Sequence, residues 1–543
     1  MPNMKNILKN YPLPILLISL IFLIKALFLS FFITPFSAVP DEIGHFAYTQ
    51  DIAYGKGIPV LSVPAIGKSV IGTDVMGYLE RTPDSQPAYN WIAQHPPVYY
   101  AISAIPLKIG RWVSTDMDVL VRLPRISSAL SGALLLLVLF RTFTAIGLDP
   151  PRSTALAAAI GFIPMVSHLS SGTNHDMSLF LFCALATLFF SYYIINRKIK
   201  DAYRCAIWLA IAGGTKMMTP LVLLVPMVLI LILELPRENR LKHAIKILII
   251  AFSIPAAWMI RNFVYFQFPL YTSGTHRKPG LEIPLQQSFS DYIRSQPVFD
   301  SIAHLFYGMF GHITPSSEKI FLEYDVLPRP LKFISITASG VPYDIFLGIL
   351  FALSCIGLIY IWMLLLHVSR ENPAPLNDNS FIALANFHLK NYRYRSVPLM
   401  AAYFMASAAA IFINITSFTD STFILFSCIP ISIFLGIISI PLIFYIKDRV
   451  DRLALYGLAV TLFFGSVFLH HIYDAYLTEG VLRAAQGRYF YPAIPLVILS
   501  ASIILLRLHI PKIVINIGIT LLACAELSVY VKQALPFYLK YYS

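Results

Sequence analysis

Long uninterrupted apolar runs are the feature that most restricts how this chain folds. They include residues 13–35, 123–143 and 177–195, each close to the roughly 20 residues that a helix needs to cross a hydrocarbon core. Helices suit such runs, because lipid offers no partner to an open strand edge. Only 13% of the residues are charged and 57% are hydrophobic, which excludes an ordinary soluble enzyme, a disordered chain and a basic nucleic-acid binder. We predict an all-α polytopic membrane protein.

Hydropathy predicts about 12 or 13 transmembrane helices and two long outward loops. The first loop covers residues 36–121, where residues 96–113 have the apolar spacing of a helix lying in the membrane interface. The second loop covers residues 261–343 and is rich in proline and aromatic residues, which is typical of a folded cap. Two short helices form a hairpin at residues 203–234. The other predicted spans are residues 14–34, 122–143, 153–171, 176–195, 244–260, 344–367, 399–417, 423–446, 453–471, 489–507 and 512–531.

Charge predicts the orientation of these helices. With the amino terminus in the cytoplasm, the inward segments collect the excess of Lys and Arg behind the net charge of +13, as the positive-inside rule requires. The first apolar run is too long for a signal peptide and is interpreted as a retained anchor. We expect three parts, namely a transmembrane module at residues 1–260, an outer cap at 261–343 and C-terminal transmembrane helices at 344–543.

Polar side chains near a membrane are costly, so each is a candidate for function. In the predicted orientation, six polar motifs lie at the outer surface. Their members are Asp41, Glu42 and His45 after the first helix, His95 with Tyr99, Asn174 to Asp176, Lys216 at the hairpin tip, Trp258 with Arg261 and Asn262, and Gln486 to Tyr489, including Arg488.

Each motif also has a structural interpretation. One of Asp41 and Glu42 is expected to act as a general base while the other holds a metal or a substrate hydroxyl. The alternative is that both carboxylates cap the amino end of the next helix. Asp176 begins an apolar helix and is equally explained as a cap. Lys216 must be neutralised or face an anion. Arg261 and Arg488 bind an anion or extend toward lipid headgroups. Lys25, in the middle of the first helix, has no partner that the sequence reveals.

Metal binding is an open question at this stage. His45, His95 and His175 lack the one-turn spacing of a paired-histidine zinc helix, so structural or substrate-contacting roles are favoured. A divalent cation held by Asp41, Glu42 or Asp176 remains an alternative. All five cysteines lie within or beside apolar segments, which argues against a disulfide framework and a cysteine metal site.

The motifs together resemble the GT-C superfamily of membrane glycosyltransferases. They are the Asp-Glu pair after the first helix, a Pro-Pro-aromatic segment, an Asn-x-Asp turn, a Gly-x-x-Lys hairpin, Trp-x-x-Arg-Asn and Gly-Arg-Tyr-x-x-Pro. Within the superfamily, Pro-Asp-Glu-x-x-His and Gln-Gly-Arg-Tyr are most similar to the bacterial DUF2142-type membrane proteins. The likeness covers residues 1–270 and 473–495, and hydropathy alone covers the rest.

The resemblance implies an inverting enzyme of the bacterial inner membrane whose active site faces the periplasm. It would take a sugar from a polyprenyl-phosphate donor and pass it to a hydroxyl of a glycan, lipid or protein. The resemblance implies that Asp41 corresponds to the family's catalytic base and Asp176 to the acid of its second outer loop. Lys216, Arg261 and Arg488 carry suitable charges for the departing phosphate. His45, His95, Tyr99, Asn262 and Tyr489 are further expected substrate contacts.

Other functions are compatible with the sequence, among them a non-catalytic scaffold or polysaccharide assembly factor, which would leave Asp41, Lys216 and Arg488 without a role. A secondary transporter or flippase also has a dozen helices and a few costly charges, although transporters usually repeat their broken helices in both halves. A ligase for lipid-linked glycans is expected to depend on outer arginines and histidines more than on Asp41. Membrane lipids are expected partners of this protein, and nucleic acids are not.

Overall fold

A computed structural model describes most of the first half of the chain and part of the second. The described residues are 11–61, 70–82, 85–272, 446, 448–479 and 485–507, with scattered positions at 287–306 and 513–531. They are mostly helical. The helices are α1 (Leu13–Phe28), α2 (Glu42–Ala53), α3 (Thr73–Glu80), α4 (Val98–Gly110), α5 (Met117–Leu120), α6 (Arg125–Ala145), α7 (Pro150–Gly161), α8 (Pro164–Ser170), α9 (His175–Asn196), α10 (Ile199–Gly213), α11 (Met218–Leu233), α12 (Arg240–Phe266), α13 (Arg449–Glu479) and α14 (Ile494–Arg507).

Five of the described helical segments are long and apolar enough to cross a membrane, or six if a bent pair is one span. This supports a multi-pass membrane protein, as predicted. The predicted spans at 344–367 and 399–417 lie outside the described residues, as do nearly all of 423–446 and most of 512–531. The total of 12 or 13 helices and the three-part division therefore stay predictions. The five segments are Leu13–Ile33, Met117–Ala145, His175–Asn196, Arg240–Phe266 and Arg449–Leu477.

The predicted helix at 153–171 is wrong as a single element. The structure breaks it into α7 and α8, which meet at 69°. Pro164 is the physical reason, because its ring removes an N–H donor and forces the preceding residue out of the helical region. Ile163 accordingly has φ −72° and ψ 118°.

The broken helix also supplies the partner that the sequence did not reveal for Lys25. The ammonium of Lys25 donates to Oγ of Ser167 at 2.8 Å and approaches the carbonyl of Gly161 at 3.5 Å. That carbonyl belongs to the end of α7, where the last turn of a helix leaves acceptors unsatisfied. Lys25 therefore stabilises the break in the helix.

The first loop folds into a small layer that carries part of the candidate site. Strands β1 (Val70–Ile71) and β2 (Ala88–Tyr89) pair antiparallel, and a 3₁₀ turn at Trp91–Gln94 follows. Helix α4 lies within the predicted interfacial segment. Its outward residues are exposed, as an interfacial helix requires. They are Ile102, Ile105, Ile109 and, just beyond the helix, Trp112.

The chain divides into two compact units. The first contains residues 1–342, 467–495 and 510–543, and the second contains residues 343–466 and 496–509. In the second unit, Arg507 at the end of α14 pairs with Asp451 at 2.8 Å and with Asp448 at 3.2 Å. These ion pairs hold the start of α13 to the end of α14. The candidate site lies entirely in the first unit.

Candidate functional site

Glu42 and Arg125 form a buried ion pair, which we call the clasp. It joins the start of the first loop to the end of α1, the start of α6 and the segment before α9. Oε1 of Glu42 accepts from Nε of Arg125 at 2.8 Å, and Oε2 accepts from Nη2 of the same guanidinium at 3.0 Å. The backbone N–H of Ser37 and that of Thr173 each donate to this carboxylate at 2.8 Å. Both charged side chains have no exposed surface. A buried ion pair of this kind persists only when the remaining polar atoms are satisfied.

Arg125 satisfies all of its donors in this clasp. An arginine has five N–H groups, and two of them reach Glu42. The other three reach the carbonyls of Ser30, Thr34 and Pro35 at 2.7, 2.7 and 3.0 Å. These carbonyls lie where α1 ends in a π-helical turn, Leu29–Ile33, and the chain enters the first loop. Arg125 therefore fixes the path of the backbone that leads to Asp41.

Asp41 has a different environment from its neighbour. It immediately precedes α2 with φ 61°, in the left-handed region, and its side chain makes no capping hydrogen bond. The indole N–H of Trp91 donates to Oδ1 at 3.1 Å, and Nη2 of Arg488 donates to Oδ2 at 3.3 Å. The Asp41 side chain remains 38% exposed. Of the two adjacent acids, Asp41 is thus the one that a substrate can reach.

Asp176 is not the cap of its helix, contrary to one of the interpretations from sequence. Asn174 caps α9 instead, accepting from the backbone N–H of Asp176 at 2.7 Å. The carboxylate of Asp176 is therefore free to face cations. Its Oδ1 lies 3.2 Å from Nζ of Lys216, and its Oδ2 lies 3.6 Å from Nε of Arg488.

Four charged side chains lie in continuous contact with one another, and we call them the charge cluster: Asp41, Arg488, Asp176 and Lys216. Two carboxylates balance two cations. Lys216 and Arg488 also lie 4.3 and 5.6 Å from the ring centre of Tyr489. Burial disfavours the charge of Arg488, but the nearby carboxylates outweigh it and raise the pKa of this guanidinium. Its Nη1 is buried and has no hydrogen-bond partner among the described residues, so it is a donor that an anionic ligand would satisfy.

Beside the charge cluster, the structure brings together three histidines from distant parts of the sequence. The ring of His175 lies 4.6 Å from that of His45 and 4.7 Å from that of His95, centre to centre. Burial lowers the pKa of His45 to about 4 and that of His95 well below its usual range. Both rings are therefore uncharged at neutral pH.

Two of the three acids considered for a divalent cation, Glu42 and Asp176, do not suit it. Glu42 is fully used by Arg125 and two backbone donors, and Asp176 already faces two cations. Within the described part of the chain, no group of three His, Cys, Asp or Glu residues is placed to hold a metal.

Besides the histidines, three further expected substrate contacts lie outside the charge cluster. The hydroxyl of Tyr99 pairs with Oγ of Ser128 at 3.0 Å in a fully buried position. Asn262 is also buried and donates to the carbonyl of Pro269 at 3.3 Å. Arg261 donates through Nη2 to the carbonyl of Pro59 at 2.8 Å and lies against the ring of Trp258 at 4.3 Å.

Sequence reasoning missed Arg125, Trp91 and Tyr100 as parts of the site. Arg125 begins an apolar span, and an arginine there is costly enough to be a signal in itself. Trp91 carries no comparable signal, since an aromatic residue in an outer loop is ordinary. Tyr100 was visible only as an aromatic beside Tyr99. Its hydroxyl lies 2.9 Å from Nδ1 of His45.

Gly44 allows helix α2 to approach the turn that carries Trp91. A Cβ at this position would lie 2.6 Å from Cγ1 of Ile92 and 2.9 Å from Oδ1 of Asn90. Asn90 accepts from the N–H of Ile92 and donates to the carbonyl of Gly44 at 3.1 Å. The added methyl group would therefore push the turn away from Asp41.

We expect Gly44→Ala to reduce the activity proposed below by about tenfold or more, because small misplacements in an active site are expensive. Gly465→Ala is the matched control, since no described residue lies within 4 Å of an added Cβ there and alanine favours a helix. The measurement is the initial rate at equal amounts of folded protein. Equal rates for both variants would show that the close approach has no role.

A family model described as dolichyl-phosphate-mannose-protein mannosyltransferase matches residues 94–260. Over these residues the chain resembles the GT-C glycosyltransferases. This supports the superfamily likeness read from the motifs, whereas the DUF2142-type branch stays a prediction. The matched segment contains His95, Asp176 and Lys216, and it excludes Asp41 and Arg488. No curated protein matches the sequence significantly.

Solved structures of two glycosyltransferases are also similar at a low level. The S. cerevisiae protein O-mannosyltransferase Pmt1-Pmt2 complex, bound to its sugar donor, matches with TM-score 0.35 and 17% identity over 50% of this chain. This chain covers only 35% of that one. ArnT from Cupriavidus metallidurans matches in its apo state, with TM-score 0.33, 12% identity and coverage of 90% and 76%. ArnT bound to undecaprenyl phosphate matches with TM-score 0.31, 13% identity and coverage of 97% and 84%. Scores of this size assign no residue of the site.

Proposed function

We propose that this chain is an integral membrane glycosyltransferase that moves a sugar from a polyprenyl-phosphate donor to an acceptor hydroxyl, with inversion. The observation that carries the proposal is the contrast between the adjacent acids. Glu42 is sealed in an ion pair, whereas Asp41 is accessible and held by one donor at each oxygen. A general base must be accessible, oriented and ionised, and Asp41 meets the geometric conditions.

The proposed step transfers one proton and exchanges one bond. Asp41 takes the proton of the acceptor hydroxyl while the hydroxyl oxygen attacks the anomeric carbon of the sugar. The bond between that carbon and the phosphate oxygen breaks on the opposite face, which inverts the configuration. The electron pair leaves with the polyprenyl phosphate, which gains a negative charge. Glu42 has a positioning role in this scheme, through the backbone that it fixes beside Asp41.

The donor phosphate is best matched by Arg261. Lys216 and Arg488 are already balanced by Asp176 and Asp41, but Arg261 makes no ion pair with a described acidic residue. Its Nη1 and the indole N–H of Trp258 are buried without hydrogen-bond partners among the described residues. Two adjacent donors and one unbalanced charge suit a phosphate ester, whose oxygens accept hydrogen bonds and carry negative charge. Nη1 of Arg488, which has no hydrogen-bond partner in the described part of the chain, would donate to the phosphate oxygen on which negative charge develops as the phosphate departs.

Arg261→Gln is expected to weaken donor binding by about 10 to 100-fold, since charged hydrogen bonds contribute roughly 1.5–3 kcal/mol each. Lys216→Ala and Arg488→Ala are also expected to reduce donor use. The measurement is the dissociation constant for a short-chain polyprenyl-phosphate sugar. Arg111→Gln is the matched control, because this outer-loop arginine also stacks on an aromatic ring, that of Tyr54 at 3.5 Å. An unchanged constant in Arg261→Gln would remove Arg261 from the phosphate site.

We place the reaction on the outer face of a bacterial inner membrane, with the amino terminus in the cytoplasm. The charge distribution supports this orientation, and the exposed apolar side of α4 suits the outer interface. The acceptor is a hydroxyl of a glycan, lipid or protein. Release of polyprenyl phosphate in sealed vesicles tests the class of activity directly. A transporter or flippase would move the donor across the bilayer and release none.

A further inference from the structure

Three segments of the protein contribute to a buried series of hydrogen-bonded side chains that has no part in the proposed reaction. We call it the histidine chain: Tyr100 from α4, His45 from α2 and His175 from the first turn of α9. Nδ1 of His45 lies 2.9 Å from the hydroxyl of Tyr100 and 3.3 Å from Nδ1 of His175. All three side chains are buried. Polar groups are buried at this density only when their hydrogen bonds are matched.

The contact between the two histidines demands a particular arrangement of protons. When two uncharged imidazoles face each other through Nδ1, the contact is favourable when one nitrogen carries the proton and the other accepts it. The hydroxyl of Tyr100, 2.9 Å from Nδ1 of His45 and 3.5 Å from Nδ1 of His175, can accept from the protonated nitrogen and donate to the other. Two arrangements are therefore conceivable, and they differ in which nitrogen of His175 carries hydrogen. An uncharged His175 that accepts at Nδ1 has its proton on Nε2. One that donates at Nδ1 has a lone pair on Nε2.

Asp176 decides between these arrangements. Nε2 of His175 lies 3.2 Å from Oδ1 of Asp176, and no described residue gives this nitrogen a formed hydrogen bond. A proton on Nε2 is attracted to the carboxylate, whereas a lone pair is repelled by it. The carboxylate therefore selects the form of His175 that is protonated on Nε2. His45 must then carry its proton on Nδ1.

We propose that His175, held by His45 and Tyr100, is a positioning residue that orients the carboxylate of Asp176 and, through Arg488, the carboxylate of Asp41. The path is continuous on measured contacts. Asp176 faces His175 and Lys216 through Oδ1 and Arg488 through Oδ2, and Arg488 donates to Asp41. Without His175, Oδ1 of Asp176 keeps Lys216 as its one described cationic neighbour, so its carboxylate and the guanidinium beside it lose a fixed orientation. The catalytic consequence of this inference rests on the proposed glycosyl transfer.

The assignment of protons is testable without any activity. We would label the full-length protein in nanodiscs with ¹⁵N-histidine and identify the two signals by their loss in His45→Asn and His175→Gln. The expected result at neutral pH is a proton on Nε2 of His175 and on Nδ1 of His45. The reverse pair of tautomers, or the same tautomer at both residues, would overturn the inference. This result stands whether or not the protein transfers sugar.

Two substitutions at His175 separate positioning from simple packing. Glutamine can place an N–H near the site of Nε2, facing Asp176, whereas asparagine reaches only the site of Nδ1. We expect His175→Asn to lower kcat by about 10²-fold, the typical effect of a misplaced catalytic group. We expect His175→Gln to retain most of kcat, with the donor KM unchanged in both. Equal losses of kcat in the two variants would contradict the inference, because a packing role does not distinguish them.

His243→Gln is the matched control for these variants. Nδ1 of His243 lies 2.6 Å from the hydroxyl of Tyr203, so this residue makes a similar pair outside the histidine chain. Its kcat is expected to equal that of the wild type. If the wild type itself releases no polyprenyl phosphate, the proposed function fails, and the tautomer experiment still decides the arrangement of His45 and His175.

Discussion

Asp41→Asn is expected to abolish sugar transfer while leaving the protein folded. The substitution keeps the shape of the side chain and an oxygen for the indole N–H of Trp91, but it removes the group that accepts a proton. General-base catalysis contributes about 10² to 10⁴-fold, so the rate should fall by at least two orders of magnitude. The measurement is the release of polyprenyl phosphate from a labelled donor in proteoliposomes.

Asp51→Asn is the control for this variant. Asp51 lies on the same helix, α2, and pairs with Lys56 at 3.5 Å, away from the charge cluster. Its rate is expected to stay near that of the wild type. A wild-type rate in Asp41→Asn, with matched folding and donor binding, would falsify the assignment of the base.

Arg125→Met is expected to be the most destabilising of the substitutions considered. It leaves the carboxylate of Glu42 buried without its cation and three backbone carbonyls without their donor. Removing one partner of a buried ion pair costs about 3–5 kcal/mol, which is a large share of the stability of most folded domains. The measurement is the midpoint of thermal unfolding in detergent, followed by tryptophan fluorescence.

Two further variants show whether the loss comes from the buried pair. Arg122→Met removes a half-buried arginine whose pair with the exposed Asp118 spans 3.8 Å, and pairs at the surface contribute about 0–1 kcal/mol. The double variant Glu42→Gln with Arg125→Met should be less unstable than the sum of the two single variants, because it leaves no unpaired charge. Strictly additive losses would mean that the clasp is not a coupled unit.

The two adjacent acids show how far sequence reasoning reaches. Both Asp41 and Glu42 were expected to take part in the chemistry, since nothing in their spacing distinguishes them. The distinction comes from Arg125, 83 positions further along the chain, which occupies one carboxylate and leaves the other accessible. Such a pairing depends on how α6 packs beside α1, and hydropathy carries no information about it.

The broken helix is a second example. The sequence contains Pro164 and a lysine, Lys25, in the middle of an apolar run, and either one alone is compatible with a straight apolar span that has a kink or a misplaced charge. Together in space they explain each other, because the proline frees a carbonyl at the end of α7 and the ammonium of Lys25 reaches it. The separation of the two groups in sequence hides this relation.

The sequence by itself determined that the described chain is helical and multi-pass, since apolar runs of helical length have few other solutions in lipid. It also nominated most members of the charge cluster, because ionisable groups beside apolar spans stand out by their cost. Only the tertiary structure decided which acid is accessible, which cations are already balanced, and that two distant histidines and Tyr100 form one buried hydrogen-bonded series. These outcomes depend on contacts at about 3 Å between remote segments, and local sequence patterns do not encode distances of that kind.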